Sequence, residues 1–127
     1  MQDKALKLLG RLVEAPSPSG FEQPAAKVFR EWMGEVADAV ETNVMGSVHA
    51  VLKGKRDGVS VMLAGHIDEI GLMVKYITPE GFVTFAAIGG VDAAILPGAR
   101  VRVHTSEGDL LGVMGRKPIH LIEDDER

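Results

Sequence analysis

The sequence predicts an α/β protein in which a helix-containing first part, residues 1–69, is followed by an all-β second part, residues 70–127. Three observations support this division. Two stretches near the N-terminus repeat apolar residues at helical spacing, and the apolar run 59–64 is typical of a strand buried on both faces. After residue 70, short strand-like runs alternate with turns rich in Gly, Pro, Asp and Ser.

Two helices are expected first. Residues 3–14 place their apolar side chains on one broad face, and two prolines follow them. The segment Ser19-Gly20-Phe21-Glu22 has the form of a capping box, with Ser19 as the cap of the second helix. Pro24 would clash with the preceding turn in that register. The helix therefore either starts at Pro24 or has a distorted first turn.

The predicted strands follow in a regular order. Residues 36–44 and 47–53 are expected to pair through a tight turn at Met45-Gly46. The buried strand 59–64 comes next. No convincing helix is expected beyond it, and the remaining strands are predicted at 70–77, 81–88, 99–105 and 109–115.

Composition excludes several classes of function. The 127 residues carry a net charge of −4 without a basic stripe, which argues against nucleic-acid binding. There is no cysteine, so a disulfide or thiolate metal site is ruled out. The N-terminus does not have the pattern of a signal peptide, and no apolar run reaches membrane-spanning length. We therefore expect a cytoplasmic protein that does not associate with a membrane.

The most informative residues are His66 and Asp68, which follow the predicted buried strand directly. Residues two apart on a strand point to the same side, so both side chains can face one pocket. An imidazole binds zinc or cobalt well, and a nearby carboxylate can orient the ring. The alternative is a hydrogen-bonded structural pair. Glu69 can be a ligand, a group that supports the ligands, or an exposed strand residue.

The other histidines do not complete a metal site. His49 and His104 fall within predicted strands at positions most simply interpreted as surface, and His120 lies in a turn-rich stretch. Catalytic zinc generally needs three protein ligands. The residues alone therefore indicate the first ligand of a metal site, and no further.

Five segments of the chain, in order, form a recognisable set. They are Pro16-Ser17-Pro18-Ser19-Gly20-Phe21-Glu22, Gly65-His66-Ile67-Asp68-Glu69-Ile70-Gly71-Leu72-Met73-Val74, Gly89-Gly90-Val91-Asp92, Leu96-Pro97-Gly98-Ala99-Arg100-Val101 and Gly112-Val113-Met114-Gly115-Arg116-Lys117-Pro118-Ile119-His120-Leu121. This set resembles the N-terminal part of one aminopeptidase family, which includes glutamyl aminopeptidase, the deblocking and tetrahedral aminopeptidases, and proteins labelled cellulase M. The chain departs from the family pattern at Gly46-Ser47, at Ile119 and at Gly65, none of which is a metal ligand in the resemblance.

The resemblance implies a hydrolase with two divalent metal ions, zinc or cobalt, that removes N-terminal residues from peptides. His66 would be a metal ligand, and Asp68 would be a catalytic residue that orients the site and influences the general base. The implied fold is an α/β catalytic domain with a β-barrel-like dimerisation domain inserted after the predicted strand 59–64. Residues 1–69 would belong to the first domain and 70–127 to the second, through which the protein would form a homo-oligomer.

The resemblance also implies that the remaining ligands lie in a later part of the family chain. We therefore expect an N-terminal fragment that ends within the inserted domain, holds at most a weak partial metal site and is inactive alone. The alternative is a non-catalytic oligomerisation or interaction module built on the β-rich half. An endoglucanase is the least favoured function, because Asp68 and Glu69 are adjacent and would point to opposite faces of a strand.

Overall fold

The protein is described by a computed structural model that covers residues 2–116. The chain forms two compact units, one up to Gly90 and the other from Val91 onward. The first unit contains two helices and two β-hairpins, and the second contains a short 3₁₀ turn and a third hairpin. The mixture of helices and sheets confirms the α/β class at this level.

The two predicted helices are present and pack against each other. Helix α1 covers Gln2–Glu14 and helix α2 covers Gln23–Gly34. Between the helices, the guanidinium of Arg11 donates to the carboxylate of Glu31 at 2.5 Å. On α2 the buried residues are Ala25 and Ala26, whose small side chains allow close packing.

The predicted cap of α2 is wrong. The helix begins at Gln23 with Glu22 as its N-cap, so Pro24 falls in the first turn, where its missing N–H costs nothing. The carboxylate of Glu22 instead accepts the amide N–H of Gly20 at 2.5 Å. Ser19, the expected cap, lies too early in the chain and has another partner, described below.

Strands β1, Ala39–Thr42, and β2, Val48–Val51, form the first antiparallel hairpin, as predicted. The turn between them is stabilised by Asn43, whose side-chain oxygen accepts the amides of Met45 and Ser47 at 2.9 and 3.0 Å. Gly46 has a φ of +90°, which glycine adopts without steric cost. Helix α2 contacts both strands.

The strand predicted at residues 59–64 is wrong for the described part of the chain. These residues form no regular element, and Val59, Val61, Met62 and Leu63 are 93%, 79%, 83% and 93% exposed. A strand buried on both faces needs neighbouring strands and covering helices. No such neighbours pack against this run within residues 2–116, and it stays exposed.

Strands β3, Gly71–Ile77, and β4, Val83–Ile88, form the second antiparallel hairpin, with an irregularity in register between Val74 and Tyr76. The hairpin turn contains Gly81 with a φ of +88°. Both strands were predicted, and the structure shortens each of them by one or two residues at one end.

The second unit contains the 3₁₀ turn Ala93–Ile95 and the antiparallel strands β5, Arg100–Thr105, and β6, Gly108–Val113. Met114 is the buried apolar residue of this unit, and its backbone bonds to both Gly98 and Ala99 at 2.9 Å. Residues 2–116 thus carry three separate two-stranded sheets, while a barrel stays a prediction. Neither α-helix in this part of the chain is long and apolar enough to span a bilayer.

Candidate metal centre

The segment that contains His66 and Asp68 is held by the loop between the two helices. Pro18 and Glu69 form an isolated parallel β-bridge. The amide of Glu69 donates to the carbonyl of Ser17 at 2.9 Å, and the amide of Ser19 donates to the carbonyl of Glu69 at 3.3 Å. Two distant stretches of the sequence are therefore fixed side by side through their backbones, which places Asp68 beside this loop.

The side chains of His66 and Asp68 meet, as their spacing predicted. Nδ1 of His66 lies 2.9 Å from Oδ1 of Asp68 and 3.1 Å from the Asp68 carbonyl oxygen. Both neighbours are acceptors when the carboxylate is ionised, so we assign the ring proton to Nδ1. The lone pair on Nε2 is then available to a metal ion, which is the usual arrangement of a ligating histidine.

Asp68 has a second partner that the sequence reasoning missed. The hydroxyl of Ser19 donates to Oδ2 of Asp68 at 2.5 Å. The hydrogen bond from Ser19, followed by that from His66, lowers the pKa of Asp68 below its ordinary value. Asp68 is therefore ionised at neutral pH. The signal in the sequence is the early Pro-Ser-Pro-Ser segment, whose last serine is predicted from local pattern only as the cap of α2.

Glu69 points to a different partner. Its Oε1 accepts the backbone amide of Ser17 at 3.1 Å, and Ser17 is only 4% exposed. The sequence left three roles open for Glu69. The observed contact matches the supporting role, because the carboxylate holds the loop that lies beside the site. Asp68 and Glu69 are adjacent, yet their carboxylates bind different parts of that loop.

These residues border a shallow cleft of about 280 Å³. One wall comes from the end of α1 and the start of α2, and the other from the segment with His66 and Asp68. The His66 ring is 85% exposed, so it is accessible from the cleft. The lining residues are Leu12, Val13, Ser17, Ala25, His66, Ile67, Asp68 and Glu69.

The donor set fits one metal ligand and does not fit a complete site. Within residues 2–116, no three His, Asp or Glu side chains are grouped closely enough to hold a metal ion. His49 lies on β2 opposite Glu41, at the strand-face position predicted for it, and His120 is outside the described residues. His66 with its Asp68 partner is an arrangement that suits one metal ligand.

A second His–Asp pair lies in the other unit and was also missed. Nδ1 of His104 is 2.7 Å from Oδ1 of Asp109, and the two residues face each other across β5 and β6. Arg102 lies 3.8 Å from the same carboxylate. The turn at residues 105–108 would have predicted this register, because it places the residues on either side of it opposite each other.

The decisive comparison is with a family model described as M42 glutamyl aminopeptidase, which matches residues 46–127. The chain belongs to this family. The matched residues include His66, Asp68 and all of the strands from β2 onward. The M42 assignment agrees with the resemblance of the segments quoted from the sequence.

Relatives in the M42 family support the assignment. A lysyl aminopeptidase from Pyrococcus furiosus is 35% identical over 116 residues, which is 91% of this chain and 33% of the relative. A TET aminopeptidase from a marine sediment archaeon of the Thaumarchaeota is 39% identical with a TM-score of 0.88, over 98% of this chain and 35% of that one.

A second similar structure is the TET1 peptidase of Pyrococcus horikoshii, which can assemble into a tetrahedron or a large octahedral shell. It is 30% identical with a TM-score of 0.76, over 94% of this chain and 35% of that one. The chain thus spans about a third of the length of each of these proteins.

Proposed function

We propose that this chain is part of a metal-dependent aminopeptidase that hydrolyses N-terminal residues from peptides. The observation that carries the proposal is the His66–Asp68 pair, in which a 2.9 Å contact occupies Nδ1 and leaves Nε2 free for a metal ion. Family membership supplies the reaction class, since the P. furiosus relative is a lysyl aminopeptidase. The pair supplies the residues on which the reaction would depend.

In this proposal the complete enzyme uses two divalent ions, zinc or cobalt. Such ions polarise a peptide carbonyl and stabilise the negative charge that develops on it during hydrolysis. His66 contributes one ligand through Nε2. Asp68, whose Oδ2 accepts the hydroxyl of Ser19, would fix the ring orientation, raise its basicity and influence the general base. No residue in 2–116 is assigned as the general base.

The 127-residue chain alone is proposed to be inactive and to bind metal weakly. A catalytic zinc site generally has three protein ligands, and the described residues bring together one histidine and its orienting carboxylate. Incubation with zinc or cobalt and an amino-acid p-nitroanilide tests this proposal. Robust metal-dependent release of nitroaniline by the chain would contradict it.

The ligand role of His66 can be tested in a chimera. This chain would replace the matching 116-residue region of the P. furiosus lysyl aminopeptidase. We expect the folded chimera to hydrolyse lysyl p-nitroanilide and the His66→Ala variant to lose that activity. His49→Ala is the matched control, because it removes an exposed imidazole from β2. A folded chimera that is equally active with His66→Ala would refute the role.

We further propose that the protein forms a homo-oligomer through its β-rich residues 70–127, and that residues 1–69 belong to the catalytic domain. The assembly of P. horikoshii TET1 into closed shells supports oligomerisation. The exposed apolar residues of the hairpin β3–β4, among them Met73, Tyr76 and Phe85, supply suitable surface. Sedimentation of the chain and of a Tyr76→Lys variant would test this location.

The second candidate function is a non-catalytic interaction module. It is favoured by the extent of exposed apolar surface, above all in residues 59–63, together with the incomplete donor set. The two candidates differ in what happens to His66. Metal binding at the imidazole supports the aminopeptidase, whereas an interaction module would tolerate His66→Ala without any loss of function.

A further inference from the structure

The hydroxyl of Ser19 reaches the orienting carboxylate of the candidate site from a distant part of the sequence. It lies in the loop between the helices, 49 positions before Asp68 in sequence, and donates to Oδ2 at 2.5 Å. The opposite oxygen, Oδ1, faces Nδ1 of His66 at 2.9 Å. Ser19, Asp68 and His66 therefore form a chain of two hydrogen bonds that ends on the imidazole.

The backbone of Ser19 is held in place independently of the hydrogen bond that its hydroxyl makes. The Ser19 amide is fixed by the Glu69 carbonyl at 3.3 Å, and the neighbouring Ser17 carbonyl accepts the Glu69 amide at 2.9 Å. These backbone bonds remain when the hydroxyl is removed. The backbone that carries the hydroxyl is therefore already fixed against the segment that contains Asp68.

The Asp68 carboxylate, by contrast, needs to be held. Rotation about χ2 of an aspartate is broad and roughly two-fold, so rotamer preference alone does not select one orientation. The side chain is 37% exposed and makes its two hydrogen bonds to Ser19 and His66. With Ser19 bound to Oδ2, Oδ1 is directed at the imidazole.

We propose that Ser19 is a positioning residue, which acts through Asp68 to hold His66 as the Nδ1–H tautomer with Nε2 free for a metal ion. This inference rests on the ligand role of His66 in the proposed function. The Pro-Ser-Pro-Ser loop thereby places the Ser19 hydroxyl on Oδ2 of Asp68, the carboxylate oxygen that does not face His66.

The first test measures the tautomer directly. The full chain, labelled with ¹⁵N in histidine, is examined by NMR at alkaline pH, where imidazole is neutral. We expect the His66 signals of the wild type to report mainly Nδ1–H. Ser19→Ala should shift them toward Nε2–H, and Ser19→Thr should restore the wild-type signals, because threonine keeps the hydroxyl. Ser60→Ala, at an exposed serine, is the matched control.

The route through Asp68 is tested by a double-mutant cycle. Asp68→Ala leaves only the backbone carbonyl, at 3.1 Å, to accept from Nδ1, so it defines the full loss of the carboxylate. Ser19→Ala should move the tautomer population toward that limit, and should have no further effect in the Asp68→Ala background. An unchanged tautomer in Ser19→Ala, or an undiminished effect in the double variant, would overturn the inference.

A zinc titration of the same samples separates this inference from the proposed function. Removing a group that orients a metal-binding histidine typically weakens affinity about 10- to 100-fold. We expect the zinc concentration that half-saturates the His66 ring signals to rise about 10-fold in Ser19→Ala. Wild-type ring signals that do not respond to zinc would contradict the weak metal binding proposed for this chain, whatever the tautomer result; a tautomer that does not change in Ser19→Ala would refute only the positioning role.

Discussion

Two hydrogen bonds join Ser17 and Glu69, and they involve the backbone amide and the side-chain carboxylate of the glutamate. The Ser17 amide donates to Oε1 at 3.1 Å, and the Glu69 amide donates to the Ser17 carbonyl at 2.9 Å. Because Asp68 directly precedes Glu69, these two hydrogen bonds hold the segment with Asp68 against the loop.

Glu69→Ala should loosen the loop that carries Ser17. Ser17 is 4% exposed, and leaving a buried donor without an acceptor costs about 1–3 kcal/mol. We expect faster hydrogen exchange at the Ser17 amide, measured by NMR. Glu69→Gln keeps a side-chain oxygen and should preserve most of the protection. Equal protection of Ser17 in all three proteins would show that the side-chain bond does not form in solution.

Gly71 is the position where an added methyl group should disturb the site most. A Cβ there would lie 2.8 Å from Cβ of Pro18, the residue that bridges to Glu69. Overpacking of this kind costs about 1–3 kcal/mol, so Gly71→Ala should lower the urea midpoint and displace the Pro18 bridge.

Gly10→Ala is the control for Gly71→Ala. Gly10 lies in α1, where an added Cβ has no neighbour within 4 Å, so alanine should stabilise by about 0.5–1 kcal/mol. The two identical substitutions should therefore change stability in opposite directions. A neutral Gly71→Ala would mean that the loop does not pack against the start of β3.

Glu80 should titrate below the ordinary pKa of a glutamate. Its own backbone amide, followed by the Thr78 side chain, lowers the pKa through hydrogen bonds to the carboxylate. Since the folded pKa is depressed, the stabilising contribution is present above the unfolded pKa and is lost as the pH falls through the folded one. NMR titration should show Thr78→Val raising the Glu80 pKa, whereas Thr84→Val, on β4, should leave it unchanged.

The sequence predicted those elements whose partners are local. Helix α1 and the three hairpins follow from periodicity and turn residues such as Gly46 and Gly81, because each pairs with its neighbour in the chain. The run 59–64 could not be placed this way. Its apolar pattern is typical of a strand buried among elements distant in sequence, and residues 2–116 pack no such elements against it.

The contacts of the candidate site also fall into those that the sequence could predict and those that it could not. The contact between His66 and Asp68 was predictable, because residues two apart share a side of an extended chain. The contacts of Ser19 with Asp68 and of Ser17 with Glu69 were not, since they join positions about fifty residues apart. The same separation explains why the predicted cap of α2 is wrong. Serine is a favoured N-cap residue, but the hydroxyl of Ser19 donates to Asp68, which is distant in the sequence.

The apolar segment 59–63 should make the isolated chain associate. Val61 and Leu63 are 79% and 93% exposed, and an unpaired apolar segment of high β propensity is a site for pairing with another chain. We expect concentration-dependent association by sedimentation velocity, reduced by Leu63→Asp. Val44→Asp is the matched control, because Val44 is fully exposed at the β1–β2 turn, outside this segment. If the wild type stays monomeric at high concentration, or if Val44→Asp reduces association as much as Leu63→Asp does, the segment is not the cause.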